Sequence, residues 1–159
     1  MATALLSHED CLRHVTPPGH PERVDRLRAV DQALQHEDFA HLIRVDAPLA
    51  EDALILRAHP QRHLDRILAS APAEGDVAID ADTHMSPGSL RAARRAAGAN
   101  ALAVDMVLGG EVSNAFCATR PPGHHAETVR AMGFCLFNNA AIGALHAIEG
   151  HGLHRVAIV

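Results

Sequence analysis

Residues 114–159 constrain the fold more than any other part of the chain. Asn114 to Thr119 reads as a short strand, Phe137 to about Glu149 as a helix, and Arg155 to Val159 as a second strand after Gly150-His151-Gly152. A helical crossover of this kind joins parallel strands, because antiparallel neighbours need only a tight turn. The run Arg155-Val156-Ala157-Ile158-Val159 is apolar without alternation, the pattern of a strand covered on both faces. The expected fold is therefore α/β: three α/β/α layers around a mostly parallel sheet. Ligands of such sheets bind beyond the carboxyl ends of the strands, which is where the loop beginning at Arg120 departs.

The upstream residues fit that architecture. Ala2 to Leu6 is an apolar run that reads as a first strand, and a polar, Pro/Gly-rich loop follows to His20. Val24, Leu27, Val30 and Leu34 recur at helical spacing, so the pattern predicts a helix over 21–36 opened by Pro21. Leu42 to Val45 suits a strand, Glu51 to Ala58 a short helix, and the residues after Pro60 another, followed by a loop over 72–85. Ser86 and Pro87 open a long helix to about Leu108, with Leu90, Ala93, Ala97, Ala101, Val104 and Leu108 as its buried stripe. Arg91, Arg94 and Arg95 would then lie on its solvated face.

Composition narrows the function. A formal charge of −5 and a pI near 6.2 exclude a nucleic-acid binder, which needs a basic footprint. No apolar run approaches the roughly 18 residues of a membrane span, and the N-terminus lacks the pattern of a signal peptide. Cys11, Cys117 and Cys135 have no metal-type spacing and read as free thiols in a reducing compartment, so a cytoplasmic location is expected.

Chemistry concentrates in Arg120-Pro121-Pro122-Gly123-His124-His125-Ala126 and in Met132-Gly133-Phe134-Cys135-Leu136-Phe137-Asn138-Asn139. Two imidazoles at one spot can take up and give back protons near neutral pH. Adjacent side chains diverge, so the pair is a poor chelate for one metal; proton transfer suits it better. His59 and His63 are separated by the Pro60 helix boundary, and His146, His151 and His154 straddle a helix end and a Gly-rich turn without a supporting carboxylate pattern, so no metal site is expected within the chain.

These two motifs resemble those of the zinc-dependent histone deacetylase family, nearest to its class II members and bacterial deacetylase-like amidohydrolases, which are related to acetylpolyamine amidohydrolases. His20-Pro21-Glu22-Arg23 with Arg26-Leu27, and Asp82-Thr83 with Ser86-Pro87-Gly88, extend the similarity over about residues 8–159. The resemblance implies the arginase/deacetylase-like fold and removal of an acetyl or other acyl group from an amine, such as acetyl-lysine in a protein or peptide, or an acetylpolyamine. By that resemblance His124 and His125 activate a zinc-bound water and protonate the leaving amine. It likewise makes Gly133 a carbonyl acceptor for the substrate amide, Phe134 a channel wall, Asp82 a rim carboxylate, and Arg26 a neighbour of the pocket foot. The family holds zinc with two Asp and one His and polarises the carbonyl with a Tyr. Those ligands follow a strand resembling Arg155–Val159, and this chain contains no Tyr. Residues 1–159 are therefore expected to be the N-terminal portion of one truncated catalytic domain, inactive without its zinc ligands. A non-catalytic interaction module on the same scaffold is the alternative, and an arginase-like ureohydrolase would need Asp/His manganese motifs not found here.

Overall fold

The computed structural model describes residues 2–159. In chain order its elements are β1 (Thr3–Ser7), α1 (Val24–Ala33), β2 (Ile43–Asp46), α2 (Asp52–Ile55), α3 (Gln61–Ser70), β3 (Val77–Ala78), β4 (His84–Met85), α4 (Ser89–Leu108), β5 (Asn114–Ala118) and α5 (Asn139–His151). Short 3-10 turns cover Glu9–Arg13 and Glu37–Phe39.

β1 is the central strand. It pairs in parallel with β2 on one side and β5 on the other, so that Leu6 lies opposite both Val45 and Cys117. Alternate side chains of a strand face opposite ways, and β1 uses both faces. Ala4 and Leu6 pack with Ala47, Ala99 and Met106 under α4, whereas Leu5 packs with Cys11, Leu27 and Ala118 under α1. The sheet thus has a helix layer on each side, as the apolar β1 run requires. A third cluster, centred on Ile55, Leu64, Ile67, Met85, Leu136 and Phe137, joins α3, α4 and α5 at the carboxyl end of the sheet.

Several expectations are corrected. Arg155–Val159 is not a strand: it pairs with nothing among the described residues, and Ile158 is 64% exposed. Gly152, left-handed at φ 70°, turns the chain so that the Leu153 N–H returns to the Ala147 carbonyl. Apolar character favours burial, but a strand also needs a ladder partner. The helix expected over 21–36 contracts to α1, which starts after Arg23 with no side-chain cap and buries only Leu27. The loop at 72–85 contains the antiparallel β3–β4 ladder.

α4 begins at Ser89, three residues after Ser86, whose hydroxyl accepts the Val15 N–H and ties the N-terminal loop to the helix start. The buried stripe of α4 is richer in alanine than expected, with Ala92, Ala96 and Ala99 fully buried and Leu108 42% exposed. The arginine face of α4 is not solvated as a row. Arg91 and Arg95 each donate from Nε to Asp10 Oδ2 at 2.8 Å, and Arg94 bonds the Ala50 carbonyl and Asp52. Asp10 is buried, so its charge requires these partners. No helix among the described residues is long and apolar enough to cross a membrane.

Candidate active site

The loop from Arg120 to Asn138 carries the chemistry, and it is seated by buried polar groups at both ends. At its start the peptide Arg120-Pro121 is cis, and the Arg120 guanidinium is 5% exposed. It binds Glu22 through two nitrogens, Nε to Oε1 at 2.5 Å and Nη2 to Oε2 at 2.6 Å, and bonds the carbonyls of Cys11 and His14 as well. Burial alone would raise the Glu22 carboxyl; His14 and Arg120 outweigh it and hold it down at about 2. Gly123 lies so close to α5 that a Cβ there would sit 2.4 Å from Asn139 N.

The far end is braced by His59. Its Nδ1–H donates to the Thr128 carbonyl and its Nε2 accepts the Asn138 N–H at 2.9 Å, which fixes a neutral ring. Burial lowers its pKa further from charging. Asn138 caps α5 by accepting the Ala141 N–H, and its amide nitrogen donates to the Ala126 carbonyl, next to the histidine pair. His63 stacks on His59 and donates to the Leu136 carbonyl. Both histidines therefore shape the loop.

Between these anchors the chain reverses twice, with bridges Glu127–Arg130 and Met132–Cys135. The tip of the second reversal is Gly133-Phe134, at φ 57° and φ 70°. Two consecutive positive φ values make this a mirror-image hairpin turn. Glycine accepts it freely; Phe134 does so at a cost of roughly 1–2 kcal/mol. A Cβ on Gly133 would lie 2.6 Å from His125 Cβ, so only glycine lets the turn rest on the histidine.

His124 and His125 are both exposed, with ring centroids 4.2 Å apart and neither ring hydrogen-bonded to a described residue. His125, Gly133, Phe134 and Asp82 line one cavity of about 440 Å³, together with Asp80 and Arg130. Buried Thr83 joins its walls: its hydroxyl accepts the Phe134 N–H and donates to Asp82 Oδ1. The His20 ring meets Phe134 edge-on at 4.9 Å and contacts the Asp82 carbonyl. The structure thus brings together five of the six residues singled out from sequence, His124 through its neighbour. Arg26 stands apart, exposed on α1 and outside this lining.

Arg120, Glu22, Thr83 and His59 were not singled out as site residues. Glu22 and Asp82-Thr83 did fall in the weaker upstream motifs, and that was their one sequence signal. The zinc implied by the resemblance finds no fit beside His125. Among the described residues, the one trio of His, Cys, Asp or Glu able to hold a metal is Asp105, His146 and His151, at the other end of α5.

Fold and site together define a three-layer α/β protein with a tandem-histidine loop at the carboxyl edge of a parallel sheet. The histone deacetylase domain profile matches residues 20–159, and the chain belongs to that family. It is 38% identical to a histone deacetylase-like amidohydrolase of Pseudomonas aeruginosa, covering 99% of this chain and 46% of the relative. It is 35% identical to the human polyamine deacetylase HDAC10, covering 100% of this chain and 25% of that protein. The solved HDA15 HD domain superposes with a TM-score of 0.88 at 35% identity, over 94% of this chain and 44% of that one. The chain spans about half the length, or less, of these relatives.

Proposed function

We propose that this chain supplies the acid–base and channel-wall part of an amidohydrolase that removes an acetyl or other acyl group from an amine. The observation carrying this reading is the contact of the Gly133-Phe134 turn with His125 inside one cavity, rimmed by the exposed carboxylate Asp82. A linear acylated amine lying along Phe134 would present its amide N–H to the Gly133 carbonyl and its flanking N–H groups to Asp82. The histidine pair takes a proton from the attacking water as the oxygen bonds to the acyl carbon. It returns that proton to the nitrogen as the carbon–nitrogen bond breaks, releasing a carboxylate and an amine. Since the residues beside His125 offer no metal-ligand trio, no step here is assigned to zinc; in the proposal that ion and its ligands lie outside residues 1–159.

Family membership supports the reaction class. Relatives named for histone and for polyamine substrates make acetyl-lysine and acetylpolyamine the two candidates. The test is hydrolysis of an acetyl-lysine peptide and an acetylpolyamine by the complete gene product. His125→Ala is expected to lower kcat by about 10²–10⁴, the usual worth of a positioned acid–base group. Residues 1–159 alone are expected to hydrolyse neither substrate with added zinc. Unchanged turnover by His125→Ala would refute the proposed role of the pair.

A further inference from the structure

Asp105 stands in the last turn of α4, and His146 and His151 stand in the last two turns of α5. Their Nε2 atoms both approach Asp105 Oδ1 at 2.6 Å, and the three ligand atoms lie within 4.8 Å of one another. The cluster lies about 10–18 Å along α5 from the histidine loop, by the rise of 1.5 Å per residue. It takes no part in the reaction proposed above.

Three observations point to a cation. First, α4 and α5 run side by side in the same direction, Gly143 resting near Asn100 and His146 reaching Asp105. Their carboxyl ends converge on this corner, and the carbonyl dipoles there attract positive charge. Second, two helices bring two imidazole nitrogens and one carboxylate oxygen to a single point, all within 4.8 Å, while nearby Arg57 is drawn off to Glu149 at 3.6 Å and leaves the Asp105 carboxylate to the imidazoles. Third, a cavity of about 350 Å³ opens onto Asp105, His146 and Arg57 and gives access from solvent.

We propose that Asp105, His146 and His151 form a binding site for a late first-row divalent cation, zinc above all, that staples α4 to α5. Two imidazoles and one carboxylate match the ligand preference of these ions, whereas calcium and magnesium want oxygen. Ligand atoms around tetrahedral zinc stand roughly 3.3 Å apart, given bonds near 2.0–2.2 Å. Half-exposed Asp105 and exposed His151 can swing apart by the fraction of an ångström this requires.

The test is calorimetric titration of the full chain with zinc, with the imidazole nitrogens of His146 and His151 followed by NMR. One saturable zinc per chain is expected, shifting those two rings and raising the melting temperature; calcium and magnesium should do neither. Asp105→Asn and His151→Ala should each weaken zinc at least about tenfold, while His124→Ala and His125→Ala leave it unchanged. His151 is exposed, so its truncation leaves the fold intact, as a zinc-free melting curve checks. Absence of saturable binding, or undiminished affinity in His151→Ala, overturns the site. Neither result bears on the role given to His125.

Discussion

Phe134 occupies a left-handed conformation that phenylalanine seldom adopts, and Gly133 before it shares that sign of φ. The strain is held by the Thr83 hydroxyl on the Phe134 N–H and by packing on His20. Gly133→Ala would push a methyl against His125, so kcat in the complete gene product is expected to fall about 10²-fold, as for a catalytic group displaced by an ångström. Its melting temperature should drop as well, since alanine is strained at φ 57°; equal activity to wild type would contradict the packing argument. Glu22 makes a second residue-level prediction. Its folded pKa of about 2 lies below the ordinary value of 4.5, so its contribution is present above the ordinary value and lost as pH falls toward 2. That contribution is about 3 kcal/mol by linkage. Urea denaturation between pH 5 and 2 should show a shallower loss of stability in Glu22→Gln than in wild type. Identical slopes would mean that Glu22 is not the linked group. At this scale the motif residues were legible because they sit inside two long strings, Arg120–Ala126 and Met132–Asn139. Arg120–Glu22 was not, since a contact spanning 98 residues leaves no local pattern in sequence.

Among the elements, α4 stands where its sequence pattern puts it but packs differently from expectation. Alanines let it lie close to its neighbours, and Gly98 marks the closest approach: a Cβ there would stand 2.1 Å from the Pro48 carbonyl oxygen. Helix propensity alone predicts that Gly98→Ala stabilises by about 1 kcal/mol. Overpacking against backbone costs about 1–3 kcal/mol and wins here, so urea denaturation should report a net loss. A gain would show that the loop at Pro48 yields. Periodicity located α3 and α4 because each has an apolar face. It overextended α1, where a single buried leucine suffices, and it turned Arg155–Val159 into a strand because an apolar run carries no information about whether a ladder partner is present. The arginines of α4 are paired and not solvated for a related reason: Asp10, their buried counter-charge, lies on the 3-10 turn at Glu9–Arg13, where no periodic pattern marks an element.

Across the whole molecule, the parallel sheet and its two helix layers followed from the strand–loop–helix pattern, while the way each layer is pinned did not. β5 has no ladder partner on its outer side among the described residues, and Phe116 on it is 49% exposed. An apolar groove bounded by Val104, Leu108, Ala115 and Val156 lies alongside. An open strand edge next to exposed apolar surface invites pairing with another chain. Sedimentation velocity should therefore show concentration-dependent self-association, reduced by Phe116→Ser; a monomer at every concentration would count against it. The central place of β1 has a consequence for the order of assembly. Val45 lies far nearer to Leu6 along the chain than Cys117 does, although both end up beside it. Loop closure over the longer separation is slower, so the β1–β2 pairing is expected to form first, and the β5 side of the central strand is the last to be covered.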